Sequence, residues 1–226
     1  MQYLRENLRD VRAALRAACE GREPTLLAAV KYADDAELVA LLEDGVKDVG
    51  ENRVQQLLAR APIYEAHGTR VHFIGSLQTN KVKYIVDKVV MIHSLDSERL
   101  AAEIERQAAR RDICMDVLVE LNAAREESKS GVLPEEAEGL CRTVLSCPHL
   151  ALRGFMTMGP RFETEAQYRA YFRDVRTLCR ELWQTLGQAG LPLLSMGMSE
   201  SFVAAAREGA DFVRVGRCLF APRATE

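Results

Sequence analysis

Leu26-Leu27-Ala28-Ala29-Val30-Lys31 is the stretch that decides how this chain folds. Five apolar residues run into one lysine, and Tyr32-Ala33-Asp34-Asp35 opens a helix directly afterwards. An apolar run this short, bounded by a helix start, reads as a strand buried on both faces, as in a parallel sheet. Lys31 then stands at the carboxyl end of that strand, where parallel α/β folds gather their chemistry. It is expected to be partly desolvated there, which disfavours the ammonium and leaves an amine able to condense with an aldehyde. The plainer alternative is a lysine that snorkels from a strand end into solvent.

Outward from this stretch, strand and helix alternate. Upstream, Leu4, Leu8, Val11, Leu15 and Ala18 recur at helical spacing, and Gly21 and Pro24 end the opening amphipathic helix. Downstream, Asp34 and Glu37 form a capping box, Leu38, Leu41 and Leu42 give the buried side, and Gly45 stops the helix. A short strand over 46–49 leads into Gly50-Glu51-Asn52. Val54, Leu57 and Leu58 mark a helix closed by Pro62. A third strand over 71–75 precedes a helix carrying Leu77, Val82, Ile85 and Val86. A fourth strand spans 89–93, followed by a helix capped by Asp96 or Ser97. The fifth spans 115–121, and its helix starts at Pro134, a residue suited to a first turn. The sixth strand, over 150–156, precedes the longest apolar stripe, from Tyr168 to Leu186. The seventh covers 191–195; Ser199 caps the next helix, which ends at Gly209, and an eighth strand over 211–215 leads to a short tail.

Eight strands alternating with helices, plus one extra N-terminal helix, predict a single-domain (β/α)8 TIM barrel over residues 1–226. The rival is an open doubly wound sheet, but no G-x-G-x-x-G follows the first strand. The net charge of −3 offers no basic surplus for a phosphate backbone, so no nucleic-acid partner is expected. No apolar run reaches membrane-spanning length and the amphipathic N-terminus has no signal-peptide core, so no membrane association and a cytoplasmic location are expected. The six cysteines form no C-x-x-C pair and read as reduced thiols. The four histidines lack ligand spacing, so no metal site is expected.

A barrel collects its strand ends on one rim, so these can be read together: Lys31, Asn52, the 75–80 segment, Asn122, Gly159, the 195–199 segment and Arg214-Val215-Gly216. The seventh and eighth ends are the usual phosphate position in such barrels. Ser199 at a helix start, Gly197 and Gly216 for close amide approach, and Arg214 as a fixed charge suit that task. Taken singly they read as an N-cap, turn glycines and a salt-bridge arginine. Asn52 and Asn122 suit a ligand oxygen or, more commonly, turn chemistry. Lys129 lies in a polar loop over the rim and alone reads as solvated, as do Lys81 and Lys83 on a helix face. His72 and His93, within strands, read as satisfied core groups. Met156, Met158, Met196 and Met198 could pack a flat ring or simply fill core.

Several stretches together resemble the pyridoxal phosphate homeostasis family, small single-domain barrels of the alanine racemase N-terminal-domain type. They are 27–31 around Lys31, Gly50-Glu51-Asn52 with Val54 and Gln55, His72-Phe73-Ile74-Gly75 with Leu77 and Gln78, and Asn80 to Lys83. Further on come Asn122, Ser128 to Gly131, Gly154-Phe155-Met156, Leu194 to Ser199, and Val213 to Gly216. They follow the family's order along nearly the whole chain. The resemblance implies pyridoxal 5'-phosphate (PLP) held as a Schiff base on Lys31, phosphate contacts from Ser199, Gly216 and nearby amides, and Arg214 near the phosphate or ring nitrogen. It places Asn52 beside the cofactor. Departures are Val30 for a frequent serine, Arg53 for tyrosine, Ser76 for histidine, Ala221-Pro222 for glycine, and Arg217 where a threonine usually adds a phosphate hydroxyl. Arg217 either supplies charge in its place or points outward and leaves only its amide.

The resulting expectation is a monomeric PLP-binding barrel that stores or delivers vitamin B6 cofactor, with Lys31, Asn52, Met198, Ser199, Arg214, Gly216 and Arg217 at the site. Apo PLP-dependent enzymes would be recipients. The alternative is a PLP-dependent amino-acid racemase-type enzyme. Racemases resembling this barrel are longer, with a β domain that brings a second base. A third reading is a cofactor-free scaffold.

Overall fold

The computed structural model describes residues 1–19, 21–126 and 128–223. The last three residues of the expected tail lie outside the described residues, as does Glu127 in the loop around Lys129. Eight parallel strands close into a barrel in chain order. They are β1 (Thr25–Ala29), β2 (Asp48–Glu51), β3 (Arg70–Phe73), β4 (Met91–Leu95), β5 (Met115–Leu121), β6 (Leu150–Thr157), β7 (Leu193–Met198) and β8 (Phe212–Val215). Closure comes from β1 against β8, with Thr25 opposite Phe212 and Leu27 opposite Arg214. The helices are α1 (Gln2–Ala18), α2 (Asp35–Glu43), α3 (Val54–His67), α4 (Glu98–Ala109), α5 (Pro134–Leu145), α6 (Glu165–Thr185), α7 (Phe202–Arg207) and α8 (Arg217–Phe220). The expected barrel with its extra N-terminal helix is the observed fold. No helix among the described residues is long and apolar enough to cross a membrane.

The main core lies between the strands and the surrounding helices, because each helix buries its apolar stripe against the sheet. Leu4, Leu8, Val11 and Leu15 dock α1 beside α2, α7 and α8, across the seam where first and last units meet. Asn7 from α1 donates to the carbonyls of Leu219 and Ala221, both at 3.0 Å, which ties the end of α8 down. Two smaller apolar groups fill the barrel lumen: Leu27, Ala29 and Ile74, and Met91, Leu118 and Met156. Polar residues occupy the space between them.

Several boundaries differ from the expectation. β2, β4 and β7 begin two residues later than their apolar runs, because the first residues of those runs lie outside the ladder: Val90 and Leu191 are exposed and Val46 is buried in the connection ahead of its strand. Pro62 does not close α3. It sits within the helix on the exposed side, where the carbonyl it leaves unbonded can turn to water, and Gly68 in a left-handed conformation makes the stop. The segment after β3 is a 3₁₀ helix over Thr79–Tyr84, not an α-helix. Val82 and Ile85 are three apart, and three residues per turn puts both on one buried face. The capping box of Asp34 and Glu37, Ser97 as N-cap of α4, and Pro134 in the first turn of α5 are as expected.

Candidate functional site

The carboxyl ends of the strands open into a pocket of about 420 Å³, and all seven expected site residues line it. β1 ends at Ala29, and Val30–Tyr32 turns as one 3₁₀ helix. Val30 buries its side chain in the core while the next residue, Lys31, swings out over the mouth. Lys31 is therefore exposed, contrary to the expected partial desolvation; its Nζ lies 4.8 Å from the centroid of the Tyr32 ring, a cation–π contact at the rim. The turn is clamped from α3. Arg60 donates to the carbonyl of Val30 at 3.1 Å, to that of Ala33 at 2.6 Å, and to Asp35 at 2.9 Å. Arg60 is itself buried, 3.7 Å from the carboxylate of Glu51. Glu51 accepts a 2.5 Å hydrogen bond from Tyr64, and burial raises its pKa above the ordinary carboxylate range.

Asn52 follows β2 at the pocket wall. Its Oδ1 is buried and has no hydrogen-bond partner among the described residues, so the turn role weighed for it is not what occupies this oxygen. Gly75 makes the approach behind it possible: a Cβ there would stand 2.2 Å from the carbonyl oxygen of Asn52. Asn122, by contrast, performs turn chemistry, accepting from the Glu126 amide and donating to its carbonyl.

Ser199 is not the cap of the helix after β7. That helix begins at Phe202 with Ser201 in the cap position, and Ser199 turns toward the β8 end instead. Its hydroxyl oxygen accepts from the amides of Gly216 at 3.2 Å and Cys218 at 3.4 Å. Two backbone donors thus converge on one oxygen, and the hydroxyl hydrogen remains to be donated. Gly216 is packed close: a Cβ would meet the Ala29 carbonyl at 3.0 Å and Tyr32 at 3.4 Å. This corner, polar and amide-rich, suits an anion.

Arg214 stands deeper, almost fully buried in the lumen. Its guanidinium donates to the Ser195 carbonyl and hydroxyl, both at 2.7 Å, and to the Thr157 carbonyl at 2.8 Å. Burial lowers its pKa to about 10, against the raising influence of Glu120. Arg217 turns outward and pairs with Glu200 at 3.0 Å, which leaves only its amide near the corner. Lys129 is not simply solvated: it donates to Glu126 at 2.7 Å and the Gly159 carbonyl at 3.1 Å and lines the pocket. Met198 is half exposed at the mouth, whereas Met156 and Met196 are buried. His72 and His93 are buried and hydrogen-bonded, as expected of core histidines. Arg60 and Glu51 went unmarked as supports of the site. The available signal was an arginine at position 60 on the inward stripe of Leu57 and Tyr64.

The model of the alanine racemase N-terminal domain matches residues 1–223. The pyridoxal phosphate homeostasis protein of Aquifex aeolicus is 43% identical over 223 residues, spanning 96% of this chain and 97% of that protein. Its namesake in Pseudomonas aeruginosa is 35% identical over 229 residues, spanning 99% and 97%. Among solved structures, PipY of Synechococcus elongatus PCC7942 with PLP bound aligns at a TM-score of 0.85 and 30% identity, over 96% of this chain and 100% of that one. With a match across the whole barrel and relatives of the same length, the chain belongs to the pyridoxal phosphate homeostasis protein family, within the alanine racemase N-terminal-domain fold.

Proposed function

We propose that this chain binds PLP in the mouth pocket and carries it for vitamin B6 homeostasis, without turning over a substrate of its own. The observation that carries the reading is the convergence of Lys31, Asn52, Ser199, Arg214 and Gly216 on one pocket. The residues present fit the cofactor. Asn52 offers a buried acceptor that no protein group uses, suited to a ring hydroxyl. The Ser199 hydroxyl, its oxygen held by the Gly216 and Cys218 amides, offers its hydrogen to a phosphate oxygen at this amide-rich corner. Arg214, fixed in the lumen by Ser195 and Thr157 and not bonded to the Ser199 corner, is assigned to the ring of the cofactor. When bound, the cofactor supplies an aldehyde, and the Lys31 amine is placed at the open rim to bond with it reversibly. An exposed lysine suits loading and release better than a sealed one. The closed sheet has no free edge, which suits a monomer, and the open mouth suits delivery to apo PLP-dependent enzymes in the cytoplasm.

The test is to load the 226-residue chain with PLP, reduce with borohydride and map the added pyridoxyl mass. The mass is expected on Lys31 and absent in Lys31→Ala. An adduct of unchanged yield in that variant would move the covalent link elsewhere, with Lys129 the first place to look.

A further inference from the structure

Beneath the pocket, a line of buried polar side chains crosses the barrel from one end to the other. Arg214 on β8 donates to Ser195 Oγ on β7 at 2.7 Å. Ser195 Oγ lies 2.9 Å from His93 Nδ1 on β4. His93 Nε2 lies 3.0 Å from His72 Nδ1 on β3, and His72 Nε2 lies 3.1 Å from Asp48 Oδ1 on β2. Asp48 is closed off at the far end by Arg70, at 2.6–2.7 Å. Ser195 and His93 are completely buried, and His72 and Asp48 nearly so.

The chemistry of the two ends sets the direction of every bond. A guanidinium has donors only, so Ser195 Oγ must accept from it. The one hydrogen of Ser195 is then available to His93, with Nδ1 as its acceptor. A neutral His93 therefore carries its hydrogen on Nε2 and gives it to His72 Nδ1. His72 in turn carries its hydrogen on Nε2 and gives it to the carboxylate of Asp48, which only accepts. Reversal with neutral rings would set the bare Nε2 of His72 against the Asp48 carboxylate, two acceptors facing each other in a lumen where unmade hydrogen bonds are expensive. Burial, then the neighbouring His72 and the cationic Arg214, hold the His93 pKa well below its usual value, consistent with a neutral ring. The other groups packed on the line are the Phe212 ring, 5.4 Å and 5.3 Å from the two imidazoles, and Glu120 on β5, whose charge acts on Arg214. With three donors committed to Ser195 and Thr157, two of the five guanidinium N–H groups are left without a partner among the described residues, on a side chain that lines the pocket.

We infer that Ser195, His93, His72 and Asp48 form a one-way donor chain that positions Arg214 for its ligand and joins the pocket's buried cation to a carboxylate at the opposite end of the barrel. The ligand role of Arg214 rests on the PLP reading; the direction of the chain does not. Ser195, His93 and His72 are positioning residues, since they act through Arg214. No one of these residues is unusual in a core, but the sequence of acceptor and donor types along the line is self-consistent in one direction only.

The experiment reads the histidines directly. Long-range ¹⁵N–¹H spectra of the full chain, at pH 7.5 without ligand, distinguish imidazole tautomers, and only four histidines need assignment. His72 and His93 are both expected as neutral Nε2–H tautomers. An Nδ1–H form or a doubly protonated ring at either position overturns the chain. A second arm measures PLP binding and the visible spectrum of Ser195→Ala and Ser195→Thr. Ser195→Ala is expected to bind about tenfold more weakly with a displaced absorption maximum, and Ser195→Thr, which keeps the hydroxyl, to recover both. Wild-type affinity and spectrum in Ser195→Ala would remove the positioning role. Should the wild-type chain bind no PLP at all, the function proposed above fails, while the tautomers still decide the direction of the chain.

Discussion

Glu120 on β5 is the clearest case of a side chain whose environment rather than its type sets its behaviour. It is buried in the lumen, and desolvation, then repulsion from Asp96, push its pKa up to about 7, with Arg214 pulling the other way. Between about pH 4.5 and 7 the folded chain retains a proton here that the unfolded chain has released. Stability from this site therefore falls as pH rises through that window. Glu120→Gln removes the dependence. The variant is expected to match wild type near pH 4.5 and to exceed it at pH 8 by roughly 2–3 kcal/mol, at about 1.36 kcal/mol per pKa unit. Urea unfolding midpoints at the two pH values check this; an equal gap at both would mean that packing, not ionisation, sets the difference. Residues of this kind are invisible in sequence, because β5 reads as an apolar run carrying two acids, Asp116 and Glu120, and nothing in the run marks which of them is buried in the lumen. The residues at the strand ends were legible for the opposite reason. Barrel topology forces strand ends together, so Lys31, Asn52, Ser199 and Gly216 could be grouped without knowing a single distance.

At the scale of elements, the turn over Val30–Tyr32 owes its shape to α3 as much as to its own residues. Arg60 bonds the backbone on both sides of Lys31, at Val30 and Ala33. Arg60→Met keeps the buried stem but leaves the Ala33 carbonyl without its donor, the Val30 carbonyl with only the Ala33 amide, and Glu51 without its cation. A loss of about 2–4 kcal/mol is expected, from the usual cost of orphaned buried polar groups. A roughly tenfold weaker hold on PLP is also expected, because Lys31 loses its fixed base. Denaturant unfolding and equilibrium binding measure the two effects separately; unchanged binding in a destabilised variant would show that the turn holds Lys31 unaided. The elements themselves were legible wherever period and caps agreed, as in α2, α4 and α6. They were misread where an apolar residue did something other than join a ladder. Leu191 is exposed ahead of β7, and Val82 and Ile85 serve a 3₁₀ turn whose period of three the spacing also fits. Ser199 reads as a cap in the sequence because a serine before a helix ordinarily is one. What the sequence could not carry is the partner on the neighbouring strand end, the turn after β8, where the Gly216 and Cys218 amides redirect it.

For the whole molecule, the question is whether one barrel with an open mouth can do more than hold its cofactor. Racemisation requires a proton to leave one face of a bound amino acid and arrive on the other, so a base is needed on each side. Lys31 can serve one face. Of the other groups around the pocket, Lys129 is tied to Glu126 and the Gly159 carbonyl, and Glu200 to Arg161 and Arg217. Tyr168 is buried, packed edge-to-face with Phe162 and stacked on Phe172. The arginines carry no accessible lone pair. Tyr32 also lines the pocket, but its ring lies alongside Lys31, 4.8 Å from Nζ, so among the described residues no free base other than this neighbour is set against Lys31. The open rim also admits water, which weakens the electrostatic stabilisation that a developing charge needs. The PLP-loaded 226-residue chain is accordingly expected to produce no sustained D-alanine from L-alanine and no carbon dioxide from L-amino acids, with at most slow α-deuterium exchange. On the function proposed above, handing PLP to an apo-enzyme needs only reversible bonding at Lys31, and should restore that enzyme's activity faster than PLP escapes into a scavenging excess of free amine. Chiral chromatography and carbon dioxide capture over many equivalents of substrate give the decisive count. Multiple turnovers that vanish in Lys31→Ala would make the chain an enzyme and place the missing base in a group that the folded barrel supplies.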